Sequence, residues 1–315
     1  MQKNAVVLFK QVRLFSTVAV TTVILLSLIF SQLLDASSMG WQVVVALIAL
    51  AIGIPHGALD HLVTLPKAQP KKMALFIVIY VAVAVVAVIG ILNFNVFGFI
   101  IVLFMSAIHF GIGDAAFISE IDKRTKPEKK LNRWLYIPAA GFTPVFIPLV
   151  NSASTDALAS VNPALINWHQ GFDSEILVIV TAFVLISITL MLIGKRYREG
   201  LDLTLLLLLA HLAPPLIAFA VYFGCWHAMR HTARLTLSLP RSIENIAQGM
   251  LRKAFSNAVI PGLPALIGTF VVVGLLALSG REFTDDFFWM ALVVVWALTV
   301  PHMVVTAKLD RAALT

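Results

Sequence analysis

Charge is scarce in this chain: Asp, Glu, Lys and Arg make up 12% of its 315 residues. Ordinary soluble domains carry about a quarter of such residues, so a water-soluble globule is excluded. There is one cysteine, Cys225, which rules out a disulfide framework and a cysteine-rich metal site. No GxGxxG fingerprint and no P-loop occurs, so no reductant- or nucleotide-binding domain is legible. No two histidines are adjacent, and no internal repeat or low-complexity tract is present. The segment 151–173 lacks Lys and Arg altogether.

What the chain has in quantity is apolar surface. Hydrophobic residues make up 60% of it, and the mean hydropathy is +0.94. Apolar runs of about 20 residues recur from end to end, as in a polytopic helical membrane protein. The fold class expected is all-α: one integral-membrane domain over 1–315, a bundle of about ten transmembrane helices (8–10). Spans are expected near 14–34, 41–63, 72–92, 94–118, 134–150 and 174–194, with two in 201–237, then 258–280 and 287–306. The pair in 201–237 divides at Ala213-Pro214-Pro215, because about 37 residues in one helix would run to about 55 Å. Its short first arm, 201–212, could also be re-entrant, provided that protein buries it. The basic N-terminal stretch and the apolar run after it read as a spanning helix rather than a signal peptide, since no small-residue cleavage site follows Leu34.

With both termini in the cytoplasm, 22 of the 23 Lys and Arg residues fall on the inner side, and Arg281 alone does not. The net charge of +7 then reflects loops facing anionic lipid rather than nucleic acid. The expected location is the cell (inner) membrane.

Polar residues concentrate at a few places. Gly53-Ile54-Pro55-His56-Gly57-Ala58-Leu59-Asp60-His61 puts two imidazoles and a carboxylate into an apolar run. Intramembrane polar clusters are costly and mark function by default. His56 and Asp60 share a helix face. His61 lies about 140° round from His56 on a regular helix, so the two converge only if the helix breaks, and Gly53, Pro55 and Gly57 allow a break.

Eight histidines are present, and His169 alone lies in a polar outer loop. A lone membrane histidine is usually a hydrogen-bond partner between helices. Here seven fall in or beside apolar spans. His227 and His231 are spaced i, i+4, as in helical metal sites, although that pair alone is a weak signal. In the ten-pass arrangement His56, His109, His227 and His302 lie at similar depth near the inner side. An all-imidazole site suits Fe, Cu, Zn or Ni, with a carboxylate behind it. Asp60 and Asp114 are the acidic candidates for that role. Asp114 orients a ligand or caps the loop. His302 is a ligand, a group behind the ligands or a packing residue.

Taken in order, Gly-Ile-Pro-His56-Gly-Ala-Leu-Asp60-His61, His109-Phe-Gly-Ile-Gly-Asp114 and Trp226-His227-Ala-Met-Arg-His231 closely resemble the Brp/Blh family of membrane β-carotene 15,15′-dioxygenases. The resemblance covers roughly 50–305. It implies cleavage of β-carotene at the central double bond by dioxygen and Fe(II), giving two all-trans-retinal for a microbial rhodopsin. It implies His56, His109, His227 and His231 as iron ligands and catalytic centre, His56 against His61 being the less secure choice. Asp60, His61, Asp114 and His302 are then expected behind the ligands, and no substrate-binding residue is assigned. The competing readings are a histidine-lined transporter of metal ions or protons, and a membrane di-iron hydroxylase or desaturase. The absence of His-His pairs speaks against the di-iron enzymes, and the lack of internal pseudo-symmetry against a transporter.

Overall fold

A computed structural model of the chain describes residues 1–30, 39–65, 69–268, 271 and 285–315. Among the described residues there is helix and no strand. In a bilayer an isolated span must satisfy its own backbone, which a helix does. This is why runs such as Val81–Val88, rich in β-branched residues, are helical here.

The long elements are α1 (Gln2–Phe30), α2 (Met39–Gly57), α4 (Pro70–Asn93), α5 (Asn95–Thr125), α6 (Arg133–Leu149), α8 (Asp173–Ile193), α9 (Tyr197–Leu212) and α14 (Asp285–Leu314). The short ones are α3 (Asp60–Thr64), α7 (Ser152–Val161), α10 (Pro215–Val221), α11 (Met229–Leu235), α12 (Pro240–Ala247) and α13 (Leu251–Ser256). A seven-residue π-helix, Tyr222–Ala228, joins α10 to α11. Among the described residues, five helices are long and apolar enough to cross a membrane: α1, α4, α5, α8 and the Leu292–Leu314 part of α14.

Several boundaries differ from the sequence reading. Helix α1 begins at Gln2 rather than near residue 14, because Arg13 is paired within the protein instead of marking an aqueous edge. Helix α5 runs on to Thr125 rather than ending near 118, and Lys126 closes it in the left-handed conformation at φ 48°. The expected division at Ala213-Pro214-Pro215 is present, with Ala213 extended between α9 and α10. Residues 269–270 and 272–280 of the expected span 258–280, residues 31–34 of the first span and Arg281 lie outside the described residues.

The exterior of the bundle is apolar. Leu75, Val78, Val81 and Val86 on α4 and Val178, Ile179 and Ile193 on α8 are exposed, as lipid-facing positions are. Inside lie the polar groups, including Asp60, Asp114, Asp202, Arg230 and Arg234, each at most 5% exposed.

The basic segments gather at one end of the bundle. Asn4 Nδ2 donates to the carbonyl of Ile246 at 2.8 Å. Arg196 donates to the Lys129 carbonyl at 3.0 Å and meets Asp122 at 3.0 Å. Lys123 donates to the Ala312 carbonyl at 2.9 Å. Four cations that the charge count assigned to the inner side, Arg13, Arg196, Arg230 and Arg234, are buried in ion pairs.

A buried histidine cluster as candidate metal centre

The cluster is built on a close contact of α2 with the π segment. Gly53 faces Phe223, and a Cβ at Gly53 would lie 2.0 Å from that ring. Gly224 faces the backbone of Ala49, where a Cβ would stand 3.0 Å from the carbonyl oxygen. Glycine at both positions lets the two backbones approach. The π turn then delivers His227 and His231 to the same interior as His56. Such π insertions recur at functional sites.

Five imidazoles meet there. Ring centroids are 5.5 Å apart for His56–His227, 5.1 Å for His56–His231 and 5.0 Å for His109–His227. His302, from α14, is 5.2 Å from His56, 5.3 Å from His109 and 5.6 Å from His231. His227 and His231 stack at 6.1 Å. All five side chains are buried.

The back of three rings is tied, which sets their tautomers. A carbonyl only accepts, so His56 donates from Nδ1 to Gly53. A carboxylate also only accepts, so His302 donates from Nδ1 to Asp60, with Oδ2 at 2.9 Å. The Thr306 hydroxyl donates to the His302 carbonyl at 3.0 Å and lies 3.4 Å from His109 Nδ1, which donates to it. In each ring Nε2 is then the nitrogen that carries the lone pair. His109 Nε2, His302 Nε2 and both nitrogens of His231 are buried with no hydrogen-bond partner. Orphaned buried nitrogens are costly unless something binds them.

These residues fit a transition-metal ion. A ring bound through nitrogen at about 2.1 Å puts its centroid roughly 3 Å from the ion, so neighbouring rings stand roughly 4.5–5.5 Å apart. Five of the separations above, from 5.0 to 5.5 Å, fall in this range, while His231–His302 at 5.6 Å and His227–His231 at 6.1 Å lie above it. Among the described residues, no three His, Cys, Asp or Glu side chains already hold their donor atoms in a metal-binding arrangement.

Two carboxylates do work that the sequence did not assign to them. Asp60 does not orient His56, whose Nδ1 is on Gly53; it holds His302 and accepts from Tyr80 at 3.1 Å. Asp114 neither orients a histidine nor caps a loop. It lies mid-helix and binds Arg230 at 2.6 Å and the Tyr136 hydroxyl at 2.7 Å. His302 stands among the rings rather than behind them. His61 is half-buried on α3 and makes no ring contact with the cluster among the described residues. His211 bonds Thr181 at 3.2 Å, and His169 lies 3.8 Å from Asp173, both away from the rings.

A buried ion network adjoins the cluster. Arg230, between His227 and His231 in sequence, reaches Asp114 and, at 3.2 Å, Asp202, and its guanidinium lies 3.6 Å over Trp226. Arg13 pairs with Asp202 at 2.8 Å and Glu199 at 3.0 Å. Arg234 pairs with Asp310 at 2.5 Å. Asp202 inside Gly200-Leu-Asp-Leu-Thr and Arg230 inside the histidine motif are charges in apolar runs, the signal by which both were findable. Phe110, Phe219 and Phe223 form an aromatic wall beside the rings, with Phe110 4.5 Å from His227.

The fold and this interior define a class: an all-helical protein with helices apolar and long enough to cross a membrane and a cluster of histidines buried among them. Sequence comparison places it within that class. A family model described as beta-carotene 15,15′-dioxygenase matches residues 45–310, and the chain belongs to that family. A protein named beta-carotene 15,15′-dioxygenase from an uncultured marine bacterium, 66A03, is 28% identical over 268 residues, covering 80% of this chain and 88% of that one. A probable beta-carotene 15,15′-dioxygenase Blh from Halobacterium salinarum is 24% identical over 297 residues, covering 84% and 82%. No solved structure matches the chain.

Proposed function

We propose that the protein cleaves β-carotene at its central 15,15′ double bond with dioxygen, giving two molecules of all-trans-retinal. One observation carries this reading: in a chain of this family, His56, His109, His227 and His231 converge from α2, α5 and the π–α11 segment into one buried cluster. These four would hold Fe(II). When bound, the ion supplies the activation of dioxygen that a closed-shell polyene needs.

The rest of the chemistry lies in the protein's own groups. The exposed apolar helices admit a substrate dissolved in the bilayer. The aromatic wall of Phe110, Phe219 and Phe223 offers an apolar surface to a polyene next to the rings. Gly53, Thr306 and Asp60 hold three ring protons away from the centre of the cluster, keeping their Nε2 lone pairs free. The reaction balances without external electrons: one C=C bond breaks and each carbon receives one atom of dioxygen as an aldehyde. That agrees with a chain showing no reductant-binding motif.

The test is purified protein with β-carotene in detergent. Retinal should form in air without NAD(P)H, and none should form anaerobically. Product that needs a reductant, or unequal apocarotenal fragments, would refute central cleavage. Elemental analysis should find about one iron per chain, and His56→Ala, His109→Ala, His227→Ala and His231→Ala should each lose iron and activity together. His169→Ala is the control.

A further inference from the structure

Resting on the iron reading above, we infer that His302 is a fifth imidazole ligand of the same ion, aimed by Asp60. Its ring is as close to three of the other four as those rings are to one another: 5.2 Å to His56, 5.3 Å to His109 and 5.6 Å to His231. Its Nδ1 is occupied by the Asp60 carboxylate, with oxygens at 2.9 and 3.1 Å. Its Nε2 therefore carries the lone pair, and that nitrogen is buried with no partner. A packing histidine would spend its second nitrogen on a protein hydrogen bond. This one leaves it unpartnered beside the rings of His56, His109 and His231.

The support behind the ring is also that of a ligand. Carboxylate–histidine pairs fix the tautomer and raise the basicity of a metal-binding imidazole. Asp60 is itself held, accepting from the Tyr80 hydroxyl at 3.1 Å, so α4 braces α3 and α3 braces α14. Gly57 lies beside the ring: a Cβ there would stand 3.5 Å from His302 Nδ1, in ordinary contact. Asp60 is a positioning residue, acting on the ion through His302. The Asp60 side chain reaches that ring from 242 positions away, which is why helix periodicity assigned it to His56 instead.

The experiment uses full-length protein in detergent, loaded with Fe(II) for stoichiometry and with Co(II) for its visible spectrum. The spectrum reports coordination number independently of turnover. In His302→Gly the Co(II) bands should shift and iron affinity should fall, and free imidazole should restore both. In Asp60→Asn the ring is retained but loses its charged partner, and iron affinity should fall roughly 10–100-fold. His61→Ala should match the wild type in both readouts. Wild-type affinity and an unshifted spectrum in either His302→Gly or Asp60→Asn would overturn the inference. If His302→Gly does not fold, Asp60→Asn decides alone. If the wild type itself binds no iron, the iron reading fails, and this is distinguishable from a wild type that binds iron without His302.

Discussion

Arg230 donates from Nη1 to Asp114 Oδ1 at 2.6 Å, tying α11 to α5 beside the histidine cluster. Both side chains are buried, and Arg230 also lies over Trp226 and reaches Asp202. The network locks the helix that carries His227 and His231 against the helix that carries His109.

Removing the cation should be costly. Arg230→Met leaves Asp114 without its charge partner and Asp202 with Arg13 alone. Breaking a buried ion pair from one side costs about 3–5 kcal/mol. Thermal unfolding in detergent should show a clearly lowered midpoint. Arg230→Met combined with Asp114→Asn should recover part of the loss, because the stranded carboxylate is gone. A wild-type midpoint in the single variant would show that the pair contributes nothing to holding α11 on α5.

Neighbouring glycines on α5 should respond unequally to alanine. At Gly111 a Cβ would lie 2.0 Å from the carbonyl oxygen of Ile137, and at Gly141 on α6 it would lie 1.9 Å from that of Ala107. These are backbone atoms, so the helices themselves must separate. Overpacking of this kind costs about 1–3 kcal/mol. At Gly113 the nearest atom is His227 Cε1 at 3.6 Å, an ordinary contact. Gly111→Ala and Gly141→Ala should lower the unfolding midpoint, and Gly113→Ala should leave it nearly unchanged. Equal midpoints for all three would contradict the close α5–α6 packing.

Ten spans with both termini in the cytoplasm remain the expected topology. Supporting it, the start of α1 touches α12 and the end of α14 touches the 119–133 segment, so both termini lie with the basic loops. Reporter fusions should place 119–133, 195–198 and 238–253 inside. An outside signal at 238–253 would reverse the direction of the π–α11 segment and rule this topology out.

How much of the site was legible follows from which signals are local. His227 and His231 are read as a pair because one helix turn relates them, and the π insertion leaves them stacked. His56 was distinguishable from His61 only with the structure, since both stand in one motif and helix α2 ends between them at Gly57. Asp60 illustrates the limit most directly. Its i, i+4 relation to His56 is correct as helix geometry, yet α2 stops before Asp60 and α3 turns its carboxylate to α14.

The sequence by itself determined the apolar character, the helical class and which residues could carry the chemistry. Apolar runs long enough to span, little charge, a single cysteine and histidines held in apolar surroundings are properties of composition and spacing. The tertiary structure alone decided which polar groups meet: His302 among the rings, Asp60 on His302, and Arg230 shared between Asp114 and Asp202. The physical reason is the low dielectric of the interior. Each buried polar group must find a partner there, and the partners come from helices far apart in the chain, where no local periodicity relates them.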